Sequence, residues 1–107
     1  FLKKVPDAHR FGVPEFDYNK QIEFIVEKPK NKNSGYAVVG AYIYHKDVFN
    51  IVSRLKPSGR GELEITDINN HYAKLDILDY DILTDFWSDA GTFESLVKST
   101  NWAYKNK

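Results

Sequence analysis

The stretch YAVVGAYIY at positions 36–44 constrains the fold more than any other part of the chain. Its alternation puts Ala37, Val39, Ala41 and Ile43 on one apolar face, and Tyr36, Val38, Gly40, Tyr42 and Tyr44 on the other, which reads as a strand. A glycine inside a strand marks the close approach of another backbone or a ligand, or room for a packed aromatic ring. Both readings stay open for Gly40.

The flanking segments read as a layered arrangement. FGVPEFDYNKQIEFIVEKP predicts a hairpin: a first strand at Gly12–Phe16, a turn through Asp17, Tyr18, Asn19 and Lys20, and a second strand from Gln21 to Lys28. In that second strand Ile22, Phe24 and Val26 are expected on one face, with Glu23, Ile25 and Glu27 on the other. Pro14 has no amide hydrogen to donate, so the first strand is an edge or carries a bulge. Lys30–Ser34 is a polar loop.

Asp47 is expected to cap a helix reaching about Leu55, with Val48, Ile51, Val52 and Leu55 on one stripe and Pro57 ending it. A second helix is predicted over ITDINNHYAK at 65–74, with Ile65, Ile68 and Tyr72 on its apolar stripe. A strand is expected near Ile77–Leu83. Thr92 is placed to cap a last helix through FESLVKSTNWAY, burying Phe93, Leu96, Val97 and Thr100. Hairpin, strand, helix, helix, strand, helix is an α/β or α+β order.

Composition narrows the functional classes. Fifteen basic residues balance fifteen acidic ones, so no net field attracts nucleic acid or an anionic membrane. Apolar residues at 42% and aromatics at 15% suffice for one packed domain. The absence of cysteine excludes disulfides and thiolate metal sites and fits a reducing, cytoplasmic compartment. No apolar run reaches the ~18 residues of a membrane span. The chain begins at Phe1 and contains no methionine, so the expectation is a fragment or a processed piece. His9, His45 and His71 show no zinc-ligand spacing, and no Walker-type loop, G-x-G-x-x-G or G-x-S-x-G is present.

Three stretches place a charged residue at the end of a regular element beside glycine or proline: Glu27-Lys28-Pro29, Gly59-Arg60-Gly61-Glu62 and Trp87-Ser88-Asp89-Ala90-Gly91. Together they offer an acid for a sugar hydroxyl or a metal, two cations for a phosphate, and a second acid ahead of a helix. Element ends are where α/β folds gather ligands. Taken singly, each stretch is more often a solvated turn than a site, with Asp89 as an Asx-turn or capping residue. Arg60 between its glycines reads either as an anion clamp or as a solvated turn arginine.

In order, RFGVPEFD, EKP, SGYAVVGAYIY, KPSGRGELEITDIN and FWSDAGTFESL resemble the C-terminal half of glucose-1-phosphate thymidylyltransferases, from about Val5 to Leu96. EKP recurs across sugar nucleotidyltransferases, whereas RGELEITD is far more specific. The resemblance implies an α/β fold, a partial mixed sheet with flanking helices forming the C-terminal half of a Rossmann-like nucleotidyltransferase fold. Residues 1–107 would be its sugar-phosphate-binding half, without the N-terminal nucleotide-binding half.

The same resemblance implies condensation of glucose 1-phosphate with dTTP, to dTDP-glucose and pyrophosphate, with Mg²⁺. Gly12 would approach the sugar through its backbone, and Glu27 would bind sugar hydroxyls. Lys28 would contact the phosphate, Val38 and Tyr42 would line the sugar pocket, Arg60 would clamp the phosphate, and Asp89 would hold Mg²⁺. Lys28 and Arg60 would be the catalytic cations. The parent would be a homo-oligomer. W-S-D-A-G stands where W-L-D-T-G is more usual in the family, and the stretch from Tyr72 to Asp89 is about two residues short of expectation. The alternatives are a relative using UTP, CTP or ATP, and a sugar-phosphate-binding or assembly piece without catalysis of its own.

Overall fold

Asp17 organises the first hairpin. Its side-chain Oδ1 accepts from the amides of Asn19 at 2.8 Å and Gln21 at 3.0 Å, and Lys20 takes a left-handed φ of 61° to close the turn. In this computed structural model, which describes residues 1–107, the turn joins β2 (Gly12–Phe16) to β3 (Ile22–Glu27), antiparallel as the sequence predicts.

The facing of β3 differs from expectation. Glu15 pairs with Phe24 while Phe16 pairs with Ile22, so Glu23 is an extra residue that breaks the register. One inserted residue reverses the side-chain alternation beyond it. Ile22 and Ile25 are therefore the buried pair, and Phe24 and Val26 face outward.

β1 (Leu2–Lys4) pairs antiparallel with β4 (Tyr36–Val38). On its other side Leu2 meets Ile82 in a parallel bridge, with Leu2 N–H donating to Asp81 at 2.9 Å and Leu83 N–H donating back to Leu2 at 2.8 Å. This is the rudiment of a mixed sheet, and a mixed α/β arrangement is what the sequence implied. The strand expected at Ile77–Leu83 is reduced to that single bridge. The ammonium of Lys3 ties the segment down by donating to the carbonyls of Leu83, Thr84 and Asp85.

The strand expected over 36–44 keeps ladder pairing only to Val38. Ala37 and Val39 are buried as the alternation requires, but Ile43 is 86% exposed.

α1 (Val48–Val52) is a short helix with its apolar stripe half-buried. Asp47 precedes it without capping it, because its carboxylate instead accepts from the Tyr72 hydroxyl at 2.9 Å. α2 (Ile65–Lys74) matches prediction end for end and lies on β3. Ile68 and Tyr72 are buried, while Ile65 is half-exposed. Asn70 clips helix to strand by accepting from Ile25 N–H at 2.7 Å and donating to Ile25 C=O at 2.9 Å.

The central cluster is Leu2, Ile22, Ile25 and Ala73, with Phe16, Tyr36 and Tyr80 against it. α3 (Phe93–Lys105) starts at a capping box between Thr92 and Ser95, as the threonine predicts. Its expected buried face is not buried: Phe93 is 93% exposed and Val97 58%. Apolar periodicity marks a face that could be covered, and no element of this chain covers it. The helix meets the rest through Trp102, stacked on Phe86 at 5.0 Å, and through Ser95 C=O, which accepts from the Ser88 hydroxyl at 3.2 Å.

Candidate functional site

A cavity of about 570 Å³ opens between the start of β2, the end of β3, the extended run after β4, the first turn of α2 and the segment before α3. Gly12, Glu27, Val38, Tyr42 and Asp89 all line it. These residues come from four separate stretches of sequence, and the fold brings them to one place. Gly40 lines it too, and a Cβ there would meet nothing within 4 Å. The position therefore faces open space rather than a packed ring.

Glu27 is aimed by its neighbours. Thr66, the second residue of α2, donates its hydroxyl to Glu27 Oε2 at 2.9 Å. A Cβ on Gly12 would come within 3.2 Å of that same oxygen, so glycine lets backbone and carboxylate approach without either having to yield. The Tyr42 hydroxyl is pushed above its ordinary pKa, first by burial and then by the charge of Glu27.

Lys28 and Arg60 do not line the cavity wall. Lys28 sits just past β3 with a left-handed φ of 47°, its amide bonded to Phe11 C=O at 2.9 Å. A lysine in that region costs on the order of 1–2 kcal/mol, strain that concentrates at functional positions. Arg60 is held by Glu64, whose Oε1 accepts from Nη2 at 2.7 Å and from Nε at 3.3 Å. Glu62 lies 3.6 Å from the same guanidinium. The hydrogen bond to Glu64 is the main cause that raises the Arg60 pKa, and the charge of Glu27 adds to it. Conversely, Arg60 and then Ser58 hold the Glu64 carboxyl below its ordinary range, with the charge of Lys28 contributing. Glu27, Lys28, Arg60 and Glu64 thus form one electrostatic neighbourhood at the end of β3. The space over Gly59 and Gly61 is open, and Gly61 takes the φ of 75° that its turn requires.

Asp89 is half-buried and bonded to Arg10, whose Nη2 lies 2.9 Å from Oδ2. A Cβ on Gly91 would stand 2.6 Å from that Oδ2, so the carboxylate occupies a cradle that a side chain would fill. Ala90 between them has a left-handed φ of 51°. A lone carboxylate suits Mg²⁺, which keeps several waters and is usually held by one or two carboxylates plus substrate phosphates. No cluster of three potential metal-ligating side chains occurs in the chain.

Thr66 and Arg10 are the contributors that sequence reading missed. Both lie inside motifs that stand out, RGELEITD and RFGVPEFD, but their partners are 39 and 79 residues away. A second cavity of about 450 Å³ shares Val38 and Tyr42 with the first. Its lining is mostly apolar, with Tyr42, Tyr44 and Tyr72 stacked at 5.8 Å intervals, and it includes neither lysine nor arginine.

A half-sheet with two glycines at its cavity, a carboxylate fixed by Thr66 and a separate carboxylate ahead of α3 makes up this cleft. The nucleotidyl transferase family pattern matches residues 1–106, and the chain belongs to that family. It is 42% identical over 100 residues to a glucose-1-phosphate thymidylyltransferase of Xanthomonas campestris pv. campestris (strain B100), covering 92% of this chain and 34% of that protein. The corresponding Neisseria meningitidis protein is 40% identical over 104 residues, covering 95% of this chain and 36% of that one. A crystal structure of a Bacillus anthracis protein assigned as a glucose-1-phosphate thymidylyltransferase, in complex with sucrose, superposes with a TM-score of 0.85 at 49% identity. That match covers 95% of this chain and 41% of the other. The chain spans about a third of the length of the curated relatives it matches.

Proposed function

We propose that this chain forms the sugar-phosphate side of a cytoplasmic, homo-oligomeric glucose-1-phosphate thymidylyltransferase. The whole enzyme would transfer a thymidylyl group from dTTP to glucose 1-phosphate, giving dTDP-glucose and pyrophosphate. The observation that carries this reading is the single cavity where Gly12, Glu27, Val38, Tyr42 and Asp89 meet.

The residue types suit the chemistry. A sugar phosphate is largely dianionic at neutral pH, since its second pKa lies near ~6, so the attacking oxygen needs no general base. That oxygen bonds to the α-phosphorus of the nucleotide in line, and the bond to pyrophosphate breaks. The protein must hold two polyanions together and offset their repulsion. Glu27, with Oε2 fixed by Thr66, accepts from sugar hydroxyls. Gly12 and Val38 present main chain to the sugar, and Tyr42 walls it. Lys28 and Arg60 bind the phosphate. Arg60 can do so while Glu64 holds its Nε–Nη2 edge, because Nη1 still carries donors. Asp89 would hold Mg²⁺, which when bound supplies positive charge against the phosphates.

Calorimetric titration of the chain with glucose 1-phosphate and Mg²⁺, beside Arg60→Ala, tests the reading. Saturable binding that weakens about tenfold or more in the variant is expected, the scale of a charge-assisted hydrogen bond. Equal binding in both chains removes Arg60 from the site. A folded chain that binds nothing overturns the sugar-phosphate site for these residues alone.

A further inference from the structure

Arg10 stands between two carboxylates. Its Nη1 lies 2.8 Å from Asp7 Oδ2 and its Nη2 lies 2.9 Å from Asp89 Oδ2. Asp7 is a local partner, three residues back, whereas Asp89 comes from the segment before α3. Both ends of the long-range pair rest on one aromatic support. The guanidinium lies 5.1 Å from the ring centre of Phe11, and Phe11 meets Trp87 edge-to-face at 5.4 Å. Trp87 is two residues before Asp89, so the ring contact brings together the two stretches that carry the charged groups.

On the other side of the carboxylate, Gly91 leaves the gap that Oδ2 occupies. The oxygen in that gap is the one Arg10 holds. The pair is therefore built from both directions, and its carboxylate belongs to the substrate cavity.

We infer that Arg10 is a positioning residue that keeps Asp89 aimed into the cavity without a metal and competes with a divalent cation for that carboxylate. The inference rests on the proposed role of Asp89. Physically, the guanidinium on Oδ2 and a divalent cation drawn to the same carboxylate repel one another, so each weakens the other's hold on Asp89. Binding of the metal therefore includes the cost of weakening or releasing the Arg10 pair, and its apparent affinity falls with the fraction of Asp89 that Arg10 holds. Once released, Arg10 stays tethered by Asp7, leaving its cation at the cavity wall.

The test is a Mn²⁺ titration of the 107-residue chain, followed by paramagnetic broadening of the Asp89, Ala90 and Gly91 amide signals. Wild type, Arg10→Lys, Arg10→Gln and Asp89→Asn are compared. The broadening midpoint should fall about two- to fivefold in Arg10→Gln, the range of a partly exposed ion pair. Arg10→Lys, which keeps the charge but loses the two-pronged grip, should lie between it and wild type, and Asp89→Asn should abolish the effect. A merely structural arginine would give the opposite sign, since loosening the site weakens metal binding. An equal or higher midpoint in Arg10→Gln overturns the competition and leaves the metal role of Asp89 standing. No broadening at these amides in any chain overturns both.

Discussion

The hydroxyl of Thr66 donates to Glu27 Oε2 at 2.9 Å, and so α2 sets the direction of a carboxylate that belongs to β3. Thr66 is only 8% exposed, which shields that hydrogen bond from water. In Thr66→Val the shape is kept and the donor is lost. Glucose 1-phosphate should then bind about three- to tenfold more weakly by calorimetry, with the fold retained by circular dichroism. Unchanged affinity would show that Glu27 is aimed without Thr66.

Gly12 faces the same carboxylate. A methyl group there would stand 3.2 Å from Glu27 Oε2 and 3.4 Å from Ile25 Cγ2, so something must yield by a few tenths of an ångström. The carboxylate is the softer neighbour. Gly12→Ala should therefore cost about 1 kcal/mol or less in urea unfolding, yet weaken sugar-phosphate binding by about tenfold or more. A large loss of stability with intact binding would contradict this order of effects.

The Arg60–Glu64 pair gives a pH dependence of known sign. Arg60 and then Ser58 hold the Glu64 carboxyl below its ordinary value of 4.5 in the folded chain. A lowered folded pKa stabilises the fold above the unfolded value, and that stabilisation disappears as pH falls through the folded one. Stability measured by urea midpoint should decline below about pH 4.5, and Glu64→Gln should show a shallower decline over the same range. Superimposable acid limbs would mean that the pair adds nothing on folding.

Tyr44 behaves in the opposite sense at the alkaline end. Burial first, then the neighbouring Tyr42 and Tyr72, pushes its pKa from 10.0 up to about 12. Its hydroxyl also donates to Asn69 Oδ1 at 2.5 Å. The folded chain then keeps a proton that the unfolded chain releases, so stability is full below pH 10 and declines toward pH 12. Ultraviolet titration of tyrosinate should show a late-ionising tyrosine that Tyr44→Phe removes. A full set of ordinary transitions near pH 10 would refute the assignment.

What the sequence discloses depends on how local each cause is. The Asp17 turn, the Thr92 cap and the whole of α2 are written in consecutive residues, and the structure follows them. The facing of β3 is not, because one extra residue, Glu23, reverses it and only pairing with β2 reveals the extra residue. The strand over 36–44 and the buried face of α3 fail for a related reason. Alternation and periodicity state which side chains could be covered, and the cover must come from elsewhere. For the site, motif reading names Gly12, Glu27, Val38, Tyr42 and Asp89, which the fold gathers, and Lys28 and Arg60, which it leaves outside the cavity wall. It is blind to Arg10 and Thr66, whose importance lies in long-range hydrogen bonds rather than in residue type.

α2 is tied to β3, to the run after β4 and to the start of α1 through polar groups on its inner side. Thr66 reaches Glu27, Asn69 receives Tyr44, Asn70 grips Ile25, and Tyr72 reaches Asp47. Such a helix works like a camshaft. A tilt of the helix would be handed on to Glu27, the tyrosine ladder and the start of α1. Those distant parts therefore keep time with one another, and no single one of them can be retuned without the shaft that carries them all.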